Sequence, residues 1–460
     1  MLRLYCFTLC FGLFLTLRPA AAQDYDFSRI DQLLQDSVEQ IAGLGGGVNL
    51  MLWKDGEIIY NRSFNKADKD YSETTLVPIA SASKWLSGAV IMALVDQGKL
   101  SLDTRAGDFF SGLDDDHAAM TLRQMFSHTS GMPDNDHSSV DCLNQRKFEG
   151  GLAACVDEVL QEDLVAAPGA QFAYGGNSMH VAGRIAEIVY APGQPTGDAW
   201  DSMFDELITG PLNMPRSSYD APLTRGDNPL ISGGAWSTGA EYMNFLVMLL
   251  QGGVFDGERV LTEAAIETML ADQTGGATIV YSPYQPYFWL DASLPGTRYG
   301  VGVWREVLDN KGVLTEASSQ GAFGFSPWID RERNLAGVLS VFSTLGAVYP
   351  TYYTLKQMIR EEIPLETTAV EENETSATEL KVFPQPAEDF VHIELRELEI
   401  DAPQLWTLRA QDGRLVRSGT IENGAPAFEI DLRELAAGVY ALNIFGAADA
   451  RMIRRLITVH

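Results

Sequence analysis

The chain has 460 residues, of which 46% are hydrophobic and 21% charged, a composition typical of a folded protein with more than one domain. Its formal net charge is −29, from 62 acidic residues against 33 lysines and arginines. This charge argues against nucleic acid or an anionic membrane as a partner, because both reward clustered positive charge.

The first residues predict a secretory signal. Arg3 precedes an apolar run from Leu4 to Leu17, and three alanines stand just before Gln23. A charged start, a short apolar run and small residues at the cleavage site are typical of a signal peptide, here residues 1–22. The run is too short for a comfortable transmembrane helix, and no later stretch is long and apolar enough for one. We therefore expect an exported protein, secreted or at the cell surface.

The cysteine pattern predicts one disulfide. Cys6 and Cys10 lie in the predicted signal, which leaves Cys142 and Cys155 as a pair in an exported chain. An oxidising compartment favours a bond between them, worth about 2–4 kcal/mol. Two buried free thiols remain the alternative.

The elements that follow predict an α+β fold. Apolar residues at helical spacing predict a helix over Phe27–Ile41, and Lys54-Asp55-Gly56 predicts a hairpin turn between Gly47–Trp53 and Glu57–Phe64. Helical patterns then dominate to about Thr268, including Leu122–Ser127, His180–Tyr190, Trp200–Ile208 and Glu241–Leu250. Strands are expected over Thr297–Arg305, Gly312–Ala317, Ala322–Ile329 and Leu335–Phe342, before a last helix over Thr351–Glu362. This order predicts an antiparallel sheet flanked by terminal helices, with a helical lobe beside it and a cleft between them.

A second, smaller domain is expected at the C-terminus. Residues 365–379 are acidic and polar and predict a linker. Short alternating segments then predict a small β-sandwich over 380–460, through Val391–Leu395, Leu405–Ala410, Ala427–Leu432 and Val439–Ile444. The principal domain would accordingly cover residues 23–364.

Ser81 and Lys84 form the first candidate catalytic group. They stand three residues apart at the head of a helical pattern, so the lysine amine would lie in reach of the serine hydroxyl. Serine needs an adjacent base to become nucleophilic, and an apolar wall lowers the pKa of a lysine enough for that role. Taken alone the spacing is a weak signal, since a helix-capping serine and a solvated lysine explain it equally well.

Tyr174 is the second candidate. It lies in the Gly-rich loop Phe172–Asn177, just before another helical pattern. A phenol held there could point into the cleft, and a nearby ammonium would lower its pKa and make it a candidate base. Tyrosine is more often a core or rim residue, so this signal too is weak by itself.

Five stretches, taken together and in order, resemble the serine β-lactamase and penicillin-binding protein superfamily, and within it the class C β-lactamase and esterase branch. They are Ile79–Lys84, Leu122–Pro133 with its His-Thr-Ser-Gly segment, Phe172–Glu187, Gly233–Thr238 and Ser319–Gly324. The resemblance covers roughly residues 27–363 and implies a β-lactamase/transpeptidase-like fold.

The resemblance also implies roles for residues. Ser81 would be the acylated nucleophile, and Lys84 and Tyr174 would share the proton transfers. The backbone N–H groups of Ser81 and Ala322 would form the oxyanion hole. The implied function is a secreted serine hydrolase of the β-lactamase-related family that cleaves ester or amide bonds, as a carboxylesterase or D-alanyl peptidase does. The alternatives are a non-catalytic penicillin- or peptide-binding member and a structural surface protein, and the intact catalytic residues argue against both.

Two positions depart from the family pattern. Gly176 stands where the family usually has asparagine, and Asn177 follows one residue later. Ser319, two residues before Gly321, replaces the lysine or histidine that in many members faces a substrate carboxylate. These four residues are candidate substrate contacts. Without the cation, an ester substrate becomes more credible than a β-lactam or a peptide C-terminus.

The last segment has a resemblance of its own. Val382–Ala387, Gly438–Tyr440 and the basic-apolar ending Arg454–Ile457 are similar to the type IX secretion sorting domain of some Gram-negative bacteria. This implies a secretion machinery as partner and leaves open whether the domain is removed after transport. An accessory β-sandwich is the alternative.

We expect neither a metal nor another cofactor. His117, His128 and His137 lie near several aspartates, but their spacing matches no standard ligand pattern. Isolated histidines are usually structural.

Overall fold

The structure, a computed structural model, describes residues 25–133, 138–140, 144–145, 147–193, 198–220, 226–283, 298–309, 312–365, 380–384, 386–395, 404–410, 415–421, 425–433, 435–445 and 452–459. The predicted signal peptide, Cys142, His137 and residues 366–379 of the predicted linker lie outside these ranges. Within them, no helix has both the length and the hydropathy to cross a membrane.

Helices and strands alternate along the chain largely as the sequence predicts. The helices are α1 (Ser28–Ile41), α2 (Ser83–Asp96), α3 (Asp115–Ala119), α4 (Leu122–Phe126), α5 (Gly151–Val159), α6 (Asn177–Tyr190), α7 (Asp198–Phe204), α8 (Gly239–Leu250), α9 (Glu263–Leu270) and α10 (Leu345–Glu362). The strands before the predicted linker are β1 (Gly47–Lys54), β2 (Glu57–Asn65), β3 (Val77–Pro78), β4 (Gln171–Ala173), β5 (Trp236–Ser237), β6 (Val254–Phe255), β7 (Glu258–Arg259), β8 (Thr278–Tyr281), β9 (Trp304–Leu308), β10 (Leu314–Ser318), β11 (Ser326–Asp330) and β12 (Leu335–Val341).

A six-stranded antiparallel sheet joins the two ends of this region, in the order β2-β1-β12-β11-β10-β9. The β1–β2 hairpin turns through Asp55 and Gly56, whose φ angles are +49° and +104°, as the Asp-Gly signal predicts. Strand β1 then pairs with β12, with Val48 opposite Val341. The predicted sheet is therefore confirmed, with the hairpin at one side of it.

The terminal helices α1 and α10 contact each other and pack on the sheet through one apolar cluster. Helix α10 begins at Leu345, whereas the sequence placed its start at Thr351. It contains Pro350, which cannot donate a backbone hydrogen bond. The helix runs through this proline because Val348 and Tyr349, on the turn before it, are buried. Burial of these side chains outweighs the one backbone hydrogen bond that the proline removes.

Helix α2 is the centre of the helical lobe. Every residue from Ser83 to Leu94 is buried, as expected of a helix that is surrounded by protein on all sides. It contacts α6, α7 and α9, while α8 packs against β1 and β12 of the sheet. The helices of the lobe thereby hold α2 in place.

Two predicted strands begin several residues later than expected, and one of them is β11, which begins at Ser326 instead of Ala322. The sequence placed a strand over Thr297–Arg305, but β9 begins only at Trp304. The residues before it form a tight approach to α2: a Cβ added at Gly302, with φ +77°, would lie 2.1 Å from the carbonyl oxygen of Lys84. An extended strand could not pass so close to the helix backbone, which explains the shift.

The C-terminal residues form two further antiparallel sheets with a separate core. Their strands are β13 (Leu380–Phe383), β14 (Phe390–Leu395), β15 (Gln404–Ala410), β16 (Leu415–Ile421), β17 (Ala427–Asp431), β18 (Gly438–Phe445) and β19 (Met452–Val459). The orders are β13-β14-β17 and β16-β15-β18-β19, and the shared core includes Val391, Trp406 and Leu442. The small β-sandwich is confirmed, although the sequence did not predict β13, β16 or β19.

Candidate active site

Ser81 lies on a tight turn at the entrance to α2. The turn is a single 3-10 turn, Ala80–Ala82, and the α-helix itself begins at Ser83, so Ser81 precedes the helix instead of starting it. Ala80 has a φ of +45°, a conformation that residues with a Cβ rarely adopt. Such a backbone persists only where the surroundings hold it.

Buried hydroxyl groups hold this turn. The Ser83 hydroxyl donates to the Ala80 carbonyl at 2.6 Å and accepts the Ala235 N–H at 3.0 Å. The phenols of Tyr242 and Tyr219 donate to carbonyls of the same segment at 2.8 and 3.0 Å. Side chains from three separate parts of the chain thus fix the position of Ser81.

Lys84 points at the Ser81 hydroxyl. Its Nζ donates to Ser81 Oγ at 3.2 Å and to the backbone carbonyl of Ser232 at 2.7 Å. The side chain is buried, with 2% of the residue exposed, and no carboxylate in the described ranges forms an ion pair with it. Burial lowers the pKa of Lys84 to about 7. Near neutral pH the amine is therefore often uncharged and able to accept a proton.

Tyr174 completes the group. It follows β4 and is buried, with the Lys84 Nζ 4.8 Å from the centre of its ring. The sequence led us to expect a lowered pKa, but burial raises the pKa of Tyr174, and the hydrogen bond with Ser81 offsets this only in part. Lys84 lies over the face of the ring and is itself desolvated, so it does not stabilise the phenolate. The phenol accordingly stays protonated near neutral pH.

The turn between β10 and β11 faces Ser81. Ala322 lines the cleft, and its N–H meets no acceptor in the part of the chain that the structure describes. The neighbouring Gly321 N–H is engaged by the Phe325 carbonyl at 2.8 Å. A Cβ at Gly321 would lie 2.1 Å from the Ile79 carbonyl oxygen, so the glycine allows the turn to come this close to the nucleophile.

Two expected substrate contacts point elsewhere. The buried Ser319 hydroxyl donates to the carbonyl of Ser81 at 3.1 Å and does not line the cleft. The buried Asn177 amide donates to Glu162 at 3.0 Å, away from the cleft. Gly176 does line the cleft but has no side chain to offer. Position along the chain could not reveal these directions, because each depends on a partner far away in sequence.

The cleft itself is mostly apolar. It has a volume of about 470 Å³, and among its described lining residues Lys84 is the one charged side chain. Its hydrophobic walls are formed by Pro78, Leu230, Trp236, Phe323 and Phe342. The arrangement suits an uncharged substrate group lying beside Ser81.

The role of the Ser232 carbonyl was not predicted from the sequence, because a backbone acceptor leaves no residue-type signal. The adjacent Gly233-Gly234 turn was the one indication of it. Cys155 is buried and disulfide-bonded, while its expected partner Cys142 is outside the described ranges.

Within the described ranges no group of three or more histidine, cysteine, aspartate or glutamate side chains could hold a metal ion.

Comparisons with known proteins identify the family. A family model described as Beta-lactamase matches residues 30–348, well over half of the chain. The chain belongs to the beta-lactamase family. A second model, described as Secretion system C-terminal sorting domain, matches residues 381–459 and indicates export to the cell surface or the medium.

Individual relatives are distant. A putative beta-lactamase from Bacteroides dorei DSM 17855 is 28% identical, with a TM-score of 0.60 over 73% of this chain and 100% of that one. EstCE1, a hydrolase with promiscuous acyltransferase activity, is 18% identical with a TM-score of 0.55 over 73% of this chain and 97% of its own, a likeness of fold alone. Protein flp of Staphylococcus aureus (strain N315) is 22% identical over 237 residues, which are 47% of this chain and 45% of flp. This beta-lactamase family member therefore spans about half the length of the curated relatives it matches first.

Proposed function

We propose that this protein is an exported serine hydrolase that cleaves ester or amide bonds through an acyl-enzyme on Ser81. The observation that carries the proposal is the distance of 3.2 Å between Lys84 Nζ and Ser81 Oγ, inside a wall that lowers the pKa of Lys84 to about 7. A serine next to an uncharged amine has the base that it needs to attack a carbonyl carbon. Family membership supports the same reading, since beta-lactamase-fold proteins are generally serine hydrolases.

Acylation would start at the Ser81–Lys84 pair. Neutral Lys84 takes the Ser81 proton while Oγ bonds to the substrate carbonyl carbon, and the carbonyl oxygen gains the negative charge. The N–H of Ala322, which has no acceptor in the described structure, and that of Ser81 would stabilise this oxyanion. The bond to the leaving group then breaks, and the leaving oxygen or nitrogen takes up a proton. Water cleaves the acyl-enzyme by the same steps in reverse.

Tyr174 would act as a proton carrier and not as the starting base. Its raised pKa keeps the hydroxyl protonated, and its hydrogen bond with Ser81 puts the phenol oxygen next to the reacting oxygen. A protonated phenol can donate to the leaving group while it recovers a proton from the Lys84 ammonium. Lys84 is thus the base of acylation and Tyr174 the relay.

The cleft favours esters with an uncharged, apolar acyl group. Its walls are apolar and aromatic, and Ser319 uses its hydroxyl on the Ser81 carbonyl. Among the described lining residues, a substrate carboxylate would find no cation except Lys84, which is needed uncharged. An anion that raised the pKa of Lys84 would also remove the base.

We further propose the division of the chain that the sequence suggested. Residues 1–22 would be a signal peptide, 23–364 the hydrolase domain, and 380–460 the sorting domain beyond the linker 365–379. The separate apolar core of the C-terminal strands supports this division. The disulfide of Cys155 would be closed by Cys142, since the other two cysteines lie in the proposed signal.

The test uses the full chain with p-nitrophenyl acetate and nitrocefin, followed by mass spectrometry of the peptide that contains Ser81. We expect ester turnover and an acetyl adduct that the variant Ser81→Ala abolishes. Ser101→Ala, an exposed loop serine, is the matched control and should behave as the unchanged chain. Equal turnover in Ser81→Ala rejects the proposal, and binding without any turnover favours a non-catalytic family member.

Substrate preference has its own measurement. p-Nitrophenyl butyrate and mono-p-nitrophenyl succinate have acyl chains of similar length, but only the second has a carboxylate at the end. We expect the butyrate to have the higher kcat/KM. A preference for the succinate would contradict the apolar-acyl proposal and leave the Ser81 chemistry standing.

A further inference from the structure

His128 holds the backbone on both sides of Tyr174. The N–H of Ala173 donates to the His128 carbonyl at 2.9 Å, and the N–H of Gly175 donates to His128 Nδ1 at 3.3 Å. Tyr174 itself donates its N–H to the Tyr281 carbonyl at 3.1 Å. The residues before and after the tyrosine are therefore tied to one and the same histidine.

The imidazole also packs on the phenol ring. The centres of the His128 and Tyr174 rings are 4.4 Å apart, and the ring of Tyr299 lies 4.8 Å from the histidine on another side. His128 is 3% exposed. Contacts from the ring and from the backbone thus act on the same short segment, and they limit how the Tyr174 hydroxyl can turn away from Ser81.

The hydrogen bond with Gly175 fixes the state of the imidazole. A ring nitrogen that accepts an N–H must carry a lone pair, so the neutral ring has its hydrogen on Nε2. Nε2 is buried and meets no acceptor in the described structure. The ring's one hydrogen bond among these residues therefore goes to the residue after Tyr174.

The backbone of His128 is strained to make this arrangement. Its φ is +58°, in the left-handed region that histidine, asparagine and aspartate enter more readily than other side-chain-bearing residues. Such strain is kept where neighbouring contacts require it, and it concentrates at functional sites. The left-handed turn is what allows the carbonyl and the ring of one residue to reach both Ala173 and Gly175.

We propose that His128 is a positioning residue, which aims the Tyr174 hydroxyl at Ser81 through its two hydrogen bonds and its ring contact. This inference rests on the proposed function, because the aim matters only if Tyr174 carries a proton in the reaction. His128 touches no reacting atom. Its contribution is the fixed geometry of the group that does.

The electrostatics of the site agree with this role. Burial, and then the charge of Lys84, lower the pKa of His128 well below its usual value. The ring therefore remains neutral at the pH where Lys84 changes its charge. A protonated ring would carry hydrogen on Nδ1 and would lose the bond with the Gly175 N–H.

Two substitutions separate the hydrogen bond from the bulk of the ring. In His128→Asn, the amide oxygen can take the place of Nδ1, and asparagine tolerates a positive φ. His128→Leu fills similar space but accepts no hydrogen bond; any cost of its positive φ is the same with or without the Tyr174 hydroxyl, so comparison with a Tyr174→Phe chain removes it. With p-nitrophenyl acetate and the full chain, we expect His128→Leu to lower kcat by about 100-fold with little change in KM, and His128→Asn to recover most of the loss. Equal losses in the two variants would overturn the proposal.

A second readout distinguishes positioning from general stability. In a chain that carries Tyr174→Phe there is no hydroxyl to aim, so His128→Leu should lower kcat little further. A merely structural histidine would cost the same factor in both backgrounds, and that result would overturn the proposal. His117→Leu is the matched control: it removes a buried imidazole that bonds Asp114 and Glu162, and its effect should be equal in both backgrounds.

Failure of this inference is distinguishable from failure of the proposed function. Turnover that depends on Ser81 but shows no coupling between His128 and Tyr174 rejects only the positioning role. Turnover that does not depend on Ser81 rejects the proposed function, and the inference falls with it.

Discussion

Two lysines are buried in the part of the chain that the structure describes, and they have opposite surroundings. Lys84 is 2% exposed and donates to two uncharged oxygens, the Ser81 hydroxyl and the Ser232 carbonyl. Lys356, on α10, is 3% exposed and lies between two carboxylates, 2.8 Å from Glu306 and 2.6 Å from Glu316. The two sites differ in their partners and hardly at all in their burial.

The difference teaches what decides the chemistry of a buried amine. Without an opposite charge, burial favours the neutral amine, and the pKa of Lys84 falls to about 7. In the second cluster, burial opposes the ionisation of Glu316, but the charges of Lys356 and Arg360 together outweigh it and lower the pKa of Glu316 to about 2. The first site therefore has a usable base and the second a permanent ionic contact between α10 and the sheet.

The largest expected effect is on activity, from Lys84→Met. Removing the base should lower the rate of ester turnover by about 10⁴-fold, the upper range for a proton-transfer group. The free energy of unfolding should not fall appreciably, because no carboxylate is left unpaired by the substitution. Assays with p-nitrophenyl acetate and urea unfolding measure the two quantities. A stable variant with full activity would remove Lys84 from the mechanism.

The same substitution at the other buried lysine, Lys356→Met, should affect stability and not activity. It leaves the buried Glu316 and the partly exposed Glu306 short of a cation, and we expect the free energy of unfolding to fall by about 3–5 kcal/mol. The protein that remains folded should keep the kcat of the unchanged chain. The double variant Lys356→Met/Glu316→Gln, with one buried charge fewer, should recover part of the loss. Unfolding curves in urea provide the measurement, and an unchanged midpoint for the single variant would contradict the assigned role of this cluster.

The activity that depends on Lys84 and the stability that depends on Glu316 should also be lost over different pH ranges. Lys84 must be neutral to accept a proton, so kcat/KM should fall as the pH drops through about 7. Glu316 has a lowered folded-state pKa, so its stabilising contribution is present above its usual value of 4.5 and is lost as the pH falls towards about 2. As the pH falls from 7 to 4.5, the protein should thus lose activity progressively and stay folded. Simultaneous loss of activity and of the folded state over that range would refute the comparison.

The smallest effect is expected from Ser319→Ala. The substitution removes the hydrogen bond to the Ser81 carbonyl, worth about 1 kcal/mol, or roughly five-fold in rate if all of it were lost in the transition state. The loss should be equal for p-nitrophenyl butyrate and mono-p-nitrophenyl succinate. A loss confined to the succinate would mean that Ser319 faces the substrate after all.

Most of what could be predicted from the sequence depends on residues that lie close together in the chain. The Ser81–Lys84 pair and the Asp55–Gly56 hairpin are three residues apart or fewer, so helix and turn geometry determine them. Tyr174 required the resemblance to a family, because nothing local brings a loop to a distant helix. Neither local spacing nor the family resemblance predicts where a side chain points. Ser319 bonds to the carbonyl of Ser81, 238 residues away in sequence, and Asn177 bonds to Glu162.

The raised pKa of Tyr174 could not be predicted for a related reason. The sequence places an ammonium nearby but does not tell whether it lies beside the hydroxyl or over the ring. His128 was noticed in the His-Thr-Ser-Gly segment and as one of three histidines, but neither observation suggested a contact with Tyr174. Its two hydrogen bonds to the residues flanking Tyr174 depend on a left-handed backbone that composition does not reveal.

The positions around the nucleophile differ in whether they can be substituted. A Cβ at Gly302 or at Gly321 would lie 2.1 Å from a main-chain oxygen, so any larger residue at either position would displace the catalytic turn. The side chains of Trp236, Phe323 and Phe342, by contrast, line the cleft, where a substrate group would lie. Laboratory evolution toward bulkier or smaller acyl groups should therefore enrich changes at the three aromatic positions and leave both glycines untouched.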